Sequence, residues 1–274
     1  MERIQEALAK ARAQRQQGGR QATETRIEQA PVLELHASVD AAWMALSPVK
    51  IDRTLLKRNQ IVAADGGRNA APYDLLRTKI IHQAQLNKWR RVAIVSPEAG
   101  TGKTTTLANL AFSFERQRDM RILCIDLDLR RPALAKALGQ RTDHSMADVL
   151  ERRVSFAEHG LRLGVRVGFG LNNSPAHNPS ELLRSREMRN VIDEIEQDYA
   201  PGLMLFDLSP LNASDDNIAF LQNVDCAIII AAAEHTPIKR LDQAESKVAE
   251  LTNVMGIVLN KCRYISDSDG FDDY

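Results

Sequence analysis

The sequence predicts an α/β domain in which helices cover both faces of a parallel β-sheet. Short apolar runs rich in Val, Ile and Leu alternate with longer stretches of helical pattern, and the runs show no period of two. Such runs are typical of strands buried on both faces, and a repeated strand–helix–strand order favours parallel pairing with right-handed crossovers. The predicted strands are 92–95, 122–125, 203–206, 226–231 and 255–259, and the predicted helices are 104–118, 187–199 and 240–252.

The segment before the first buried strand has a mixed pattern. We expect a short leading strand at 61–63 and then a loop at 64–71, which contains Gly66 and Gly67. Apolar residues at helical spacing predict a helix over 73–86. The globular pattern therefore starts well before the first strand of the predicted sheet.

The two ends of the chain differ from this domain. Ile4, Ala7 and Leu8 share one face of a predicted amphipathic helix. The residues that follow show no sustained period and many Gln, Thr and Ala, which predicts a linker. The predicted organisation is a helix at 1–16, a flexible linker at 17–50, the folded domain at 51–263 and an acidic, tyrosine-containing tail at 264–274.

Composition excludes several classes of protein. The chain has 274 residues, of which 44% are hydrophobic, enough for one large α/β domain with tails. Its 36 basic and 36 acidic residues balance, so we expect no nucleic-acid partner. Three widely spaced cysteines form no disulfide framework, and no apolar run reaches the length of a membrane span. The charged N-terminus lacks a secretory apolar region, so we expect a cytoplasmic protein.

A glycine-rich motif joins the first buried strand to the helix after it. In Gly100-x-Gly102-Lys103-Thr104, the two glycines let backbone N–H groups approach phosphate oxygens closely. The helix points its positive end at the phosphates, Lys103 can neutralise them, and the Thr104 hydroxyl can reach Mg²⁺. The longer form of the motif begins with Gly, and here that position is Pro97. The predicted nucleotide-binding segment is Glu98, Ala99, Gly100, Thr101, Gly102, Lys103, Thr104 and Thr105.

Carboxylates end the next two predicted strands. Asp126 and Asp128 follow the strand at 122–125, and Asp207 follows the strand at 203–206. Ligands of parallel α/β sheets bind at the carboxyl ends of the strands, so these acids are expected beside the glycine-rich loop. There they can hold Mg²⁺ and take a proton from an attacking hydroxyl. Asp215 and Asp216 follow on the next loop, and we expect both to be solvated.

These motifs together resemble the bacterial tyrosine kinase (BY-kinase) family of capsular and exopolysaccharide kinases, in its stand-alone cytoplasmic form. The resemblance implies a Min/Par-like P-loop ATPase fold. It rests on Gly100-x-Gly102-Lys103-Thr104, on the apolar-Asp126-x-Asp128-x-Arg130 motif and on apolar-Asp207, with support from segments 178–183, 255–261 and 4–12.

The resemblance implies an ATP-Mg²⁺ site and phosphoryl transfer to a tyrosine hydroxyl. Lys103 would stabilise the γ-phosphate, and Thr104, Asp126 and Asp207 would be the metal-linked residues. Asp126 would also serve as a possible base, with Asp128 as a supporting carboxylate. Catalysis would therefore depend on Lys103, Asp126, Asp128 and Asp207.

The resemblance also implies partners. It places Asn260 near the adenine, and it makes Tyr264 and Tyr274 the candidate phosphoacceptors. A membrane adaptor of the polysaccharide co-polymerase type would recruit the protein to the inner face of the membrane. A homo-oligomer is the other implied assembly.

Departures from the family pattern keep two alternatives open. The family's oligomerisation helix carries one Glu and two Arg, and the matching residues here are Ala71, Asp74 and Arg77. Only two tyrosines lie near the C-terminus, where the family has a cluster. One alternative is a Min/Par-like ATPase that positions a partner, although Glu98 stands where those ATPases carry a signature lysine. The other is a nucleotide-binding scaffold without turnover.

Overall fold

The computed structural model describes residues 30–213 and 215–262. The chain divides into a first unit, residues 1–38, and a second unit, residues 39–274, which contains the sheet. The predicted helix at 1–16 and tail at 264–274 lie outside the described residues.

Eight strands and eleven α-helices make up the described chain. The strands are β1 (Ser47–Pro48), β2 (Arg91–Val95), β3 (Ile122–Asp126), β4 (Leu161–Leu163), β5 (Val167–Gly170), β6 (Leu203–Asp207), β7 (Cys226–Ala232) and β8 (Asn253–Asn260). The helices are α1 (Ala30–Ala45), α2 (Arg53–Arg58), α3 (Ala71–Asn87), α4 (Lys103–Glu115), α5 (Leu134–Leu138), α6 (Met146–Leu150), α7 (Phe156–His159), α8 (Pro179–Arg184), α9 (Arg186–Tyr199), α10 (Asp216–Leu221) and α11 (Ile238–Ala249).

The strands form one mostly parallel sheet in the order β1-β4-β5-β3-β6-β2-β7-β8. Only β4 and β5 pair antiparallel among the described strands. The prediction of a parallel α/β sheet is confirmed, and the five predicted strands correspond to β2, β3, β6, β7 and β8. Strands β1, β4 and β5 were not predicted, because two to four residues are too few to show a pattern.

Both faces of the central strands are packed. In β3, Leu123 and Ile125 join one hydrophobic cluster together with Val191 of α9. Ile122 and Cys124 join the cluster on the opposite face, which includes Leu107 of α4. Successive side chains of a strand point to opposite faces, so an uninterrupted apolar run is what two buried faces require.

The predicted linker is wrong over its second half. Residues 30–45 form α1, and Trp43 is only 1% exposed. Its indole Nε1 donates a hydrogen bond of 2.7 Å to the carbonyl oxygen of Tyr199. The helix begins with the weakly patterned sequence APVLELHASV, and for this reason its period was not recognised.

The predicted strand at 61–63 is also wrong. Val62–Asp65 and Arg68–Ala70 are 3₁₀ helices, so the predicted loop at 64–71 is partly helical too. The backbone N–H of Ala63 donates to Asn109 Oδ1 of α4 at 2.9 Å, so a side chain replaces the strand partner. The helix predicted at 73–86 is confirmed as α3. Across the described ranges, no helix is both long and apolar enough to cross a membrane.

Candidate functional site

The glycine-rich loop has the backbone shape that anion binding requires. It connects β2 to α4, and Gly100 and Gly102 have φ values of +81° and +96°. These left-handed angles suit glycine, which has no Cβ to clash. Gly102 is the residue before α4, so the N-terminus of that 13-residue helix faces the loop with its partial positive charge.

The lysine and threonine of the loop meet the carboxylate that ends β6. Lys103 Nζ lies 3.8 Å from Asp207 Oδ1, and the lysine side chain is only 8% exposed. The Thr104 hydroxyl donates to Asp207 Oδ2 at 2.5 Å. Asp207 is fully buried, and its Oδ1 accepts no hydrogen bond within the described chain. One carboxylate thus binds two residues of the loop and keeps one oxygen without a hydrogen bond.

The carboxylates of the β3 end are held in place by backbone N–H groups. Asp126 pairs with Asp207 in the register of β3 and β6. Its Oδ1 accepts from Asp128 N at 3.1 Å, and its Oδ2 accepts from Leu134 N at 3.2 Å. Asp128 Oδ1 accepts from Arg131 N at 3.1 Å. These bonds turn the chain sharply after the strand and keep both acids at its carboxyl end.

The three acids are crowded and mostly desolvated. Burial raises the pKa of Asp126 well above its usual range, and the charge of Asp207 raises it further. Burial also raises the pKa of Asp207, although Lys103 and the Thr104 hydroxyl act in the opposite direction. For Asp128, burial raises the pKa while Lys103 lowers it. Asp207 and Asp128 therefore share one ammonium group while Asp126 lies against Asp207, and a further cation would relieve the repulsion among the three acids.

The donor set fits magnesium. A hydroxyl and carboxylate oxygens are the hard ligands that Mg²⁺ prefers, and Asp207 Oδ1 is a buried acceptor without a hydrogen bond. Among the described residues, no three His, Cys, Asp or Glu side chains form a metal cage. This also fits Mg²⁺, which takes one or two carboxylates and fills its shell with water and phosphate oxygens.

Residues of the sheet edge support the outside of the loop. Asn260 Nδ2 donates to Thr101 O at 2.9 Å, and Lys261 Nζ donates to Gly100 O at 2.6 Å. Arg240 Nη1 of α11 lies 3.0 Å from Glu98 Oε2. Asn260 therefore lies at the loop, while its contact with adenine stays a prediction. Sequence reasoning missed Lys261 and Arg240, and the Asn-Lys pair at the strand end was the available signal for the former.

The other predicted residues of the loop differ in how far they are exposed. Ala99 is exposed and Thr105 is half-buried. Thr101 is 2% exposed, and its hydroxyl has no hydrogen-bond partner in the described chain. The structure thus brings the loop, Lys103, the three acids and Asn260 to one end of the sheet. Tyr264 and Tyr274 lie outside the described residues.

The expectation that Asp216 is solvated is wrong. Asp216 is 2% exposed, and one of its oxygens lies 2.6 Å from Arg130 Nε. Asp215, just before it, is exposed as expected. The two differ because Asp216 is the first residue of α10 and faces the loop after β3, where it pairs with Arg130.

Comparison with known proteins agrees with this site. The family model described as the CobQ/CobB/MinD/ParA nucleotide binding domain matches residues 92–268. Tyrosine-protein kinase ptk of Acinetobacter johnsonii is 28% identical over 246 residues, which cover 86% of this chain and 32% of that protein. Tyrosine-protein kinase YwqD of Bacillus subtilis is 26% identical over 208 residues, covering 75% of this chain and 86% of that protein. This chain therefore spans about a third of the first relative and most of the second.

A solved structure supports the fold. The crystal structure of the chimerical protein CapA2B2 matches with a TM-score of 0.66 and 20% sequence identity. The match covers 79% of this chain and 93% of that chain. At this identity the likeness concerns the fold alone.

Proposed function

This chain belongs to the CobQ/CobB/MinD/ParA nucleotide-binding domain family, and from that premise we propose that it is an ATP-dependent protein-tyrosine kinase of the bacterial type. It phosphorylates itself and regulates the synthesis or export of capsule or exopolysaccharide. The observation that carries the proposal is the meeting of Lys103, Thr104 and three carboxylates at one phosphate loop. The two relatives described above carry the printed name tyrosine-protein kinase.

The loop binds and orients the triphosphate in this proposal. Backbone N–H groups of the loop and the N-terminus of α4 hold the phosphates, and Lys103 neutralises the γ-phosphate. Mg²⁺ held by Thr104, Asp207 and Asp126 would neutralise charge on the phosphate oxygens. Because phosphoryl transfer depends mainly on positioning and charge, these few residues suffice.

The proton of the attacking hydroxyl goes to a carboxylate at the end of β3. Asp126 is fully buried, and each of its oxygens already accepts a backbone N–H. Asp128 is 7% exposed, so an incoming hydroxyl can reach it more easily than Asp126, and burial raises its pKa above the usual value. Asp128 therefore takes the proton, and Asp126 supports the loop and the metal.

The acceptor is Tyr264 or Tyr274. The chain has four tyrosines, and the other two are poorly placed to react. Tyr199 is 3% exposed and packs edge-on against Trp43 and Phe156, and burial raises its pKa to about 12. Tyr73 is half-buried in α3, and burial raises its pKa as well.

The proposal includes a membrane adaptor of the polysaccharide co-polymerase type, which recruits the kinase to the inner face of the membrane. Assembly of several copies stays a prediction. In α3, Asp74 contacts Arg77 at 3.2 Å and Arg116 at 2.6 Å, so the charged groups at the family's oligomerisation positions are used within the chain.

The test is incubation of the purified chain with Mg²⁺ and γ-labelled ATP. We expect label on the protein, and we expect it to disappear in Lys103→Met and in the Tyr264→Phe/Tyr274→Phe double variant. Tyr73→Phe is the matched control and should keep its label. Release of free phosphate without labelled protein would favour the Min/Par-like ATPase instead. Nucleotide binding with neither product would favour the scaffold.

A further inference from the structure

An ion pair between a buried carboxylate and a half-exposed arginine joins three segments beside the site. Arg130 follows Asp128 by two residues, on the loop between β3 and α5. Its Nε donates to Asp216 Oδ2 at 2.6 Å, and its Nη2 donates to Asp216 Oδ1 at 3.2 Å. The same Nη2 donates to Ser180 Oγ of α8 at 2.9 Å, and the Ser180 hydroxyl donates to Asp216. We call these three residues the clasp.

The geometry of the clasp requires an arginine. Asp216 is 2% exposed, and a carboxylate buried to this degree is costly unless a cation pairs with it. The planar guanidinium makes two bonds to one carboxylate and a third to Ser180, which a lysine ammonium cannot reproduce in the same geometry. The Arg130 side chain is 45% exposed, so it can bridge the buried acid to the surface.

The clasp lies just beyond the point where the pairing of β3 and β6 ends. The register of β3 and β6 ends with Asp126 opposite Asp207, and one further bond joins Leu127 N to Asp207 O at 2.9 Å. Beyond this point the loop after β3 carries Asp128, and the loop after β6 leads to Asp216. The carboxylates of Asp126, Asp128 and Asp207 repel one another, and the negative charge of Asp216 also acts on Asp128.

We propose that Arg130 is a positioning residue. Through Asp216 and Ser180 it holds the loops after β3 and β6 at the separation at which Asp128 and Asp207 both face the phosphate loop. The clasp thereby prepares the carboxylates for Mg²⁺, while Lys103 and the loop bind the phosphates independently of it. This inference rests on the nucleotide site of the proposed function and not on tyrosine as the acceptor.

The test is calorimetric titration with ADP, which cannot be turned over, once in Mg²⁺ and once in EDTA. We expect Arg130→Ala and Asp216→Asn to weaken ADP binding at least tenfold in Mg²⁺ and less than twofold in EDTA. Arg130→Lys and Ser180→Ala, which keep more of the cluster, should lie between these variants and the unsubstituted chain. These two milder variants also keep the test valid if a stronger one fails to fold.

Arg91→Ala is the matched control. Arg91 also forms an ion pair, here a half-buried one, with its Nε 2.8 Å from Glu196 Oε2, but it lies at the opposite end of the sheet. The Arg91→Ala substitution should lower the unfolding temperature and leave the ratio of the ADP affinities in Mg²⁺ and in EDTA unchanged. The proposal for the clasp fails if the Arg130 and Asp216 variants lose ADP affinity equally in Mg²⁺ and EDTA, or lose none in either. It also fails if the unsubstituted chain binds no ADP. If that chain binds ADP but transfers no phosphate, the kinase proposal fails and the affinity ratio still decides the clasp.

Discussion

The centre and the edge of the sheet contribute to one site in different ways. Every residue of β3 and β6 is buried, and both strands end in a buried carboxylate. Among the described strands β8 pairs with β7 alone, and it leaves Ile257 48% and Leu259 60% exposed. It ends in Asn260, whose amide contacts the same loop that the carboxylates face.

The difference shows that central strands and an edge strand, which are held in place to different degrees, can contribute to one pocket. Central strands are held by two ladders and by helices on both faces, so Asp126 and Asp207 at their ends are held in register. An edge strand has one ladder and is easier to displace. The centre therefore supplies the buried charges of the site, and the edge supplies hydrogen bonds to the loop from a strand that is paired on one side.

The largest expected effect separates the two regions by stability. Phe206 of β6 is fully buried, and its ring lies 4.9 Å from that of Phe220. Phe206→Ala should lower the free energy of unfolding by about 3–5 kcal/mol, because it leaves a cavity in the core. Leu259→Ala at the edge should cost less than about 1 kcal/mol. Urea unfolding measures both, and similar losses would contradict the distinction between centre and edge.

The next effect concerns the contact between the edge and the loop. A Cβ at Gly102 would clash with Asn260 Nδ2, whereas a Cβ at Gly100 would meet nothing within 4 Å. Both glycines have positive φ, so alanine strains either position. Gly102→Ala should weaken ADP binding about fivefold more than Gly100→Ala, since it also displaces the hydrogen bond of Asn260.

The same calorimetric titration in an Asn260→Ala background sharpens this prediction. With the amide gone, the two alanine variants should bind ADP equally well. If the difference between them persists, the edge strand does not act on the loop through Asn260.

The smallest effect is a pH dependence of the centre. Because the folded-state pKa of Asp207 is raised, its ionised form destabilises the ligand-free chain, and this loss appears as the pH rises through that pKa. Asp207→Asn should therefore be the more stable protein at pH 7 without Mg²⁺, and its advantage should shrink as the pH falls. Thermal unfolding over a pH series measures the difference. Asp242→Asn, at an exposed position of α11, is the matched control for the loss of one carboxylate. A lower stability of Asp207→Asn at pH 7 would contradict the prediction.

Patterns within short windows predicted most of the sheet. The apolar runs before Asp126 and Asp207 identified β3 and β6, because residues buried on both faces must all be apolar. The glycine-rich loop was recognised because glycine, lysine and threonine at that spacing have a specific chemical use. The same reasoning failed for α1, where Trp43 is buried by distant residues rather than by a local pattern.

Local sequence patterns were enough to identify strands β2, β3, β6, β7 and β8 and the chemical groups that follow them. Contacts between groups far apart in the sequence became visible in the folded chain. Asp216 lies 86 residues from Arg130, and Lys261 lies 161 residues from Gly100. Residue types and their spacing report the local conformation of the backbone, whereas a contact between remote segments depends on how crossovers order the strands in space.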